Sequence, residues 1–193
     1  MIGLHQSALR KPYSIASAPW EVERTGAMQV LVQIEDSGGL DPHLELAAPG
    51  TRLDVEGPFG SFVPPQHTNA LMFIAGGTGI APLRSIMMQR LLSASVPPIV
   101  LVYSARSVDE FAFRAELEAL EAAHRIATYL TVTRERGAWS GRRGRIDDEL
   151  LKTALPSTEA ECFVCGPPQL VVDTVQLLLS LGVGESRIHV EKY

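Results

Sequence analysis

Cysteine is nearly missing: the 193 residues contain only Cys162 and Cys165. Two thiols do not make a disulfide framework, so a reducing cytoplasm is the expected compartment. They are also too few to hold an iron–sulfur cluster on four thiolates within this chain. Their CxxC spacing is that of a redox dithiol, but ECFVC reads as a strand, with no helix start after Cys162 to lower its pKa. Positive charge is short as well. A net charge of −5 argues against nucleic acid as a partner. There is no membrane-length apolar run, no signal-peptide pattern and no low-complexity tail. None of His5, His43, His67, His124 and His189 stands at metal-ligand spacing with another, so no metal site is expected. What is present, 46% hydrophobic and 20% charged residues, describes a soluble globular protein with one core or two small ones.

The two halves are patterned differently. Residues 1–66 read as β, with short apolar-rich segments at 13–16, 28–34 and 53–55 separated by Gly, Pro and Asp. After Pro64 and Pro65, strands alternate with helices. Strands are expected at 71–75, 99–103, 127–132, 162–165 and 188–191. Helices are expected from Ile80, and over 109–124, 147–155 and 167–181. The helix over 109–124 places Phe113, Leu117 and Leu120 on one face and a Glu110/Arg114 pair on the surface. Asp147 is a cap for the next helix. The last has proline in its first turn and Gly182 at its end. The expected architecture is therefore a β domain over 1–66, then an α/β domain over 67–193. The second domain holds a five-stranded parallel Rossmann-like sheet with helices on both faces.

The densest chemical signal is LMFIAGGTGIAPLRSIM, residues 71–87. A buried strand runs into Gly76, Gly77, Thr78 and Gly79, and a helix opens at Ile80, Ala81 and Pro82. Glycines admit an anion close to the backbone, and a helix start offers unpaired N–H groups and a positive dipole end. The segment is not GxGxxG and lacks the Lys-Ser/Thr of a P-loop. On glycines alone it is a phosphate-binding turn or a tightly packed one.

GGTGIAP resembles the nicotinamide-nucleotide turn of the ferredoxin–NADP reductase superfamily, and further segments match it in order. ALRKPYSIASAP resembles the Arg-x-Tyr-Ser flavin signature. The resemblance places Tyr13, Ser14 and Ile15 along the flavin, Ser14 within reach of its N5, and Arg10 and Lys11 toward the pyrophosphate. Lys11 stands where the family has arginine and lacks its two-pronged fork. Gly38, Gly39 and Leu40 match a turn under the pyrophosphate. Asp41 stands where a hydroxyl residue is expected, and its carboxylate near a phosphate opposes a dinucleotide flavin. GTRLDVEGPFGSF, residues 50–62, matches the segment that follows.

Arg106, after the second α/β strand, is a candidate phosphate or ribose contact. Thr133 and Arg134 fall where NADPH-using members hold the 2′-phosphate, with Arg136, Arg142, Arg143 and Arg145 nearby. Cys165, Gly166 and Pro167 reproduce the Cys-Gly-Pro segment packed on the nicotinamide. Glu191 and Tyr193 reproduce a terminal Glu-x-Tyr whose ring covers the flavin.

The resemblance implies an incomplete antiparallel Greek-key β-barrel holding FAD, with fewer strands ahead of Tyr13 than the family carries. A partner or a second copy completing the barrel is one expectation; an open barrel or a shortened start are others. It also implies NAD(P)H binding, with NADPH favoured, and hydride transfer from nicotinamide to flavin. Ser14, Cys165, Glu191 and Tyr193 are then the catalytic candidates. Electrons pass onward to a separate acceptor, a ferredoxin or an oxygenase component. The other reading is an NAD(P)H-binding module, or a subunit of a larger reductase complex, that no longer holds FAD stably.

Overall fold

The structure, a computed structural model, describes residues 1–6, 8–33, 44, 47–66 and 68–192. Its centre is a six-stranded parallel sheet in the order β6-β5-β4-β3-β7-β8. These strands are β3 (Leu71–Gly76), β4 (Ile99–Ala105), β5 (Ala127–Val132), β6 (Arg142–Arg143), β7 (Glu161–Gly166) and β8 (Ile188–Lys192). β3 and β7 are buried along their whole length, which is why their sequences are apolar without alternation. Five strands lie where the apolar runs predict them. The sheet nevertheless has six, because Arg142 and Arg143 pair with Thr131 and Val132. Two arginines carry no strand pattern; the neighbouring edge recruits them.

Successive residues on β3, β4 and β7 feed two separate cores. Phe73, Tyr103, Phe163 and Cys165 pack with Leu83 and Met87 of α2 (Ile80–Arg90) and Leu117 of α3 (Arg114–Ala122). Met72, Val102, Cys162 and Val164 pack on the other face. There they meet Leu150 and Leu151 of α4 (Asp148–Ala154) and Val171 and Leu178 of α5 (Pro168–Ser180). Cys162 and Cys165 are three residues apart, an odd step, and so belong to opposite cores. A dithiol between them is excluded by the pleat. Asp147 caps α4, accepting the Leu150 N–H at 2.9 Å.

Two helices differ from expectation. The segment 109–124 is not one helix. Residues Val108–Glu110 form a 3-10 turn, and Phe113 takes a left-handed conformation (φ 59) before α3 begins at Arg114. Phe111 turns inward, its ring 5.0 Å from that of Tyr103, and this burial outweighs helical continuity. In the first 66 residues, α1 (Pro19–Thr25) is a helix where only strands were read. β1 (Ile2–Leu4) and β2 (Leu53–Val55) form a two-stranded antiparallel sheet, Ile2 facing Val55. Segment 13–16 makes a single bridge, Ile15 to Val30, and no strand. The expected end of strand 28–34 lies partly outside the described residues.

Candidate active site

β3 comes first in the sheet's sequence but sits at its middle, between β4 and β7. The chain crosses in one direction from it and later returns to its other side, which makes the carboxyl ends of these strands a topological switch point, where open α/β sheets bind ligands. Here backbones meet with almost no side chain between them. A Cβ on Gly79 would stand 2.2 Å from the Cys165 carbonyl oxygen, and one on Gly166 would be 3.1 Å from the Gly76 Cα. The turn thus packs on β7, as the tight-turn reading required, and still presents an open rim. Gly77 (φ 54) and Thr78 are only half-buried, at the start of the 3-10 turn that leads into α2. The turn is held from β4: the Tyr103 hydroxyl donates to Gly77 O at 3.0 Å and accepts the Ala112 N–H at 3.2 Å. Ile80, Ala81 and Pro82 are buried, so the accessible rim is left to Gly77 and Thr78.

Cys165, 2% exposed, is the penultimate residue of β7, with Ala75 on one side and Glu191 on the other. Burial pushes its thiol up to about 12, and the Glu191 carboxylate adds to this. Burial does the same to Cys162, with Glu161 adding, again to about 12. Both thiols are protonated at neutral pH. A pKa raised on folding means that stability is full below the unfolded value of 9.0 and falls as pH rises toward 12. Three pKa units lower the thiolate fraction on the order of a thousandfold. Native protein at pH 7.5 is therefore expected to resist iodoacetamide, with thermal midpoints falling above pH 9. Rapid alkylation of the folded chain at pH 7.5 would contradict the burial described.

Ser14 lies on the same side as Cys165. Its hydroxyl donates to Glu191 Oε1 over a long 3.4 Å, and Glu191 is the register partner of Cys165. Three of the four residues expected to do chemistry are thus linked; the fourth, Tyr193, lies outside the described residues, as do Gly38, Gly39, Leu40 and Asp41. Tyr13 and Ile15 flank Ser14, half-buried. Arg10 is engaged elsewhere. Its guanidinium meets Asp54 at 3.2 Å and Glu56 at 3.6 Å, all three at the surface, and Lys11 pairs its backbone with Ile2.

Arg106, Thr133 and Arg134 are brought together at the ends of β4 and β5. Arg134 N donates to Arg106 O at 2.7 Å, and Thr133 N to Ala105 O at 3.0 Å. Among the described residues, the Arg106 and Arg134 guanidinium groups make no hydrogen bond. The rest of the basic loop is partly spent on itself. Arg143 donates to the carbonyls of Glu135, Gly137 and Trp139, and Arg142 pairs with Asp147.

Sequence reasoning missed Arg84, 3% exposed on α2. It bonds Glu21 of α1, Glu116 of α3 and the carbonyl of Ala16. Burial alone would lower its pKa, but the hydrogen bonds to Glu21 and Glu116 outweigh burial and raise it. The Arg84 hydrogen bond holds the Glu21 carboxyl below its ordinary value despite burial. A cation inside an apolar helix face was the available signal.

The strand–glycine turn–helix, the thiol on the adjacent strand and the serine–carboxylate pair thus gather at one end of the sheet. The family described as the oxidoreductase NAD-binding domain matches residues 73–176. The chain is 31% identical over 194 residues to ferredoxin–NADP reductase B of Sorangium cellulosum (strain So ce56), covering 96% of this chain and 78% of that one. It is 30% identical to NADH-cytochrome b5 reductase 1 of Eremothecium gossypii, covering 86% of this chain and 60% of that one. Among solved structures, the ferredoxin reductase in carbazole 1,9a-dioxygenase superposes with a TM-score of 0.83 at 26% identity, over 99% of this chain and 58% of that one. The chain belongs to the ferredoxin–NADP reductase-like superfamily of FAD/NAD-binding oxidoreductases. It spans 78% of the first relative but only 22–60% of the next three.

Proposed function

We propose that this chain serves in a flavin-dependent NAD(P)H reductase that hands electrons to a separate acceptor protein, a ferredoxin or an oxygenase component. The observation that supports this reading is the link Ser14–Glu191–Cys165, which brings the Tyr-Ser segment and the Cys-Gly-Pro segment together. The relatives support it: one is named a ferredoxin–NADP reductase, and one solved neighbour is the ferredoxin reductase of a dioxygenase. The division is 1–66 for flavin, with β1 and β2 as part of a Greek-key barrel, and 67–193 for the nicotinamide nucleotide.

Tyr13, Ser14 and Ile15 would hold FAD, which when bound supplies a hydride acceptor able to release electrons singly. The rim at Gly77 and Thr78 binds the nicotinamide pyrophosphate through backbone N–H groups and the α2 start. Gly166 admits the nicotinamide to the end of β7. The neutral, buried Cys165 thiol orients that ring without competing as a nucleophile. Glu191 holds the Ser14 proton, fixing which way the hydroxyl points. Arg106 and Arg134, free to fork a phosphate, favour NADPH over NADH. With two buried free thiols, the cytoplasm is the proposed setting. No helix among the described residues is long and apolar enough to cross a membrane.

Protein supplied with FAD is expected to turn yellow, bleach anaerobically on addition of NADPH, and do so faster than with NADH. Cys165→Ala should slow bleaching about tenfold or more while leaving flavin affinity within twofold, because the thiol touches the nicotinamide side. An unchanged bleaching rate would remove Cys165 from the site. A second reading has one observation in its favour: Arg10 is paired with Asp54 and Glu56 rather than free for a pyrophosphate. On it the chain binds NAD(P)H but not FAD, within a larger complex. Colourless protein that takes up NADPH would decide for this reading. The Arg10 pairs are solvent-exposed and exchange at small cost, so the first is preferred.

A further inference from the structure

Arg84 uses every donor it has. A guanidinium carries five N–H groups in a fixed fork. Nε and Nη2 donate to the two oxygens of Glu116 at 2.7 and 2.6 Å. Nη2 and Nη1 donate to the two oxygens of Glu21, both at 2.8 Å. The fifth N–H, on Nη1, goes to Ala16 O at 2.8 Å. The guanidinium carbon also stands 4.8 Å from the Phe113 ring centroid. Glu21 in turn accepts the Ala18 N–H at 2.7 Å, and Ser85, beside Arg84, donates to Ser17 O at 2.8 Å. Segment 16–18 is thus gripped by the Ala16 and Ser17 carbonyls and by the Ala18 amide.

The position of this grip matters more than its strength. Arg84 lies on the second turn of α2, whose first residue follows the glycine turn. That turn abuts the backbone of Cys165. On the other side, Ala16 is two residues from Ser14. A buried cation between two carboxylates is a poor device for stability, since well-packed apolar residues do as well or better. It is a good device for orientation, because five directional bonds to two helices and the segment before α1 admit one arrangement.

We propose that Arg84 is a positioning residue that fixes the Ser14 segment at its working distance from the nucleotide turn and Cys165. This rests on the function proposed above. Arg84 reaches neither ligand; it acts through Ala16, Glu21 and α2. Arg84→Lys keeps the charge and loses the fork. In FAD-supplied protein, it is expected to lower the limiting rate of flavin reduction at least tenfold, with nicotinamide affinity within twofold of wild type. A rate within twofold of wild type overturns the proposal. So does a loss matched by an equal loss of nicotinamide affinity.

A second arm needs no flavin. In the flavin-free full chain, amide hydrogen exchange at residues 16–18 is expected to rise at least tenfold in Arg84→Lys, with β4 unchanged. Unchanged exchange at 16–18 overturns the proposal. If wild-type protein takes up no flavin, the proposed function fails while this arm still decides the clasp. Should Arg84→Lys not fold, Glu21→Gln and Glu116→Gln replace it. Glu21 belongs to the Ser14 side and Glu116 does not, so Glu21→Gln must give the larger effect on exchange and rate. Equal or reversed effects would show a merely structural cluster.

Discussion

Gly79→Ala is expected to cost about 3 kcal/mol of stability and to weaken nicotinamide-nucleotide binding at least tenfold. The added Cβ would fall 2.2 Å from the Cys165 carbonyl oxygen, 2.5 Å from its carbon and 2.8 Å from Gly166 N. These are backbone atoms of a fully buried strand, with no flexible side chain to swing aside. Either α2 or β7 must move, which places the substitution at the upper end of overpacking costs of roughly 1–3 kcal/mol. Movement of α2 also displaces the rim at Gly77 and Thr78, so binding falls with stability. Denaturant midpoints at constant slope, with nucleotide titrations, measure both. A loss under about 1 kcal/mol would mean that the two segments are not in contact, since even mild overpacking costs that much.

Phe163→Ala should cost about 3–5 kcal/mol, the range for removing a buried aromatic ring. Phe163 is fully buried at the middle of β7. Its ring has three aromatic neighbours: Phe62 edge-on at 5.2 Å, Phe73 at 5.8 Å and His189 stacked at 4.4 Å. Phe62 belongs to the first 66 residues, so the ring also fastens that region to the sheet. The loss has two parts: transfer of the ring, and a cavity that three separate elements cannot close together. Because Phe163 lies two residues below Cys165, nucleotide affinity in the folded variant should stay within about threefold, under the ~1.4 kcal/mol that a tenfold change needs. Stability lowered by less than about 1.5 kcal/mol would show that the site collapses freely.

How much of this was visible in the residues themselves depends on distance along the chain. The buried strands and the glycine turn were, because apolar runs and adjacent glycines are local signals. So was the Asp147 cap, whose partner is three residues away. α1 was missed although its marks were present: Pro19 at the first helical position, Glu21 reaching back to the Ala18 N–H, and Gly26 left-handed (φ 68) at the end. Its surroundings read as β, and seven residues carry too little periodicity to contest that. The break at Phe113 depends on Tyr103, and β6 depends on β5; neither could be read from its own segment. Arg84 finds partners 63 and 32 residues away, which no local pattern encodes. Ser14 meets Glu191 across 177 residues, a contact that neither local pattern nor the family motif foretold.

Glu161, Phe163 and Cys165 alternate along β7 toward the same core, while Cys162 and Val164 face the other. The two ends of this strand are therefore in phase. Glu161 anchors Arg187 and His189 at one end, and Cys165 meets Glu191 at the other. Deleting a single codon between them would turn the reading frame of the pleat by half a period, so that either the thiol or the Glu161 carboxylate is sent to the wrong face. The same deletion in the loop before Ala160 would shift nothing in register. A library of one-residue deletions should accordingly show a sharp step in tolerance at the start of this strand.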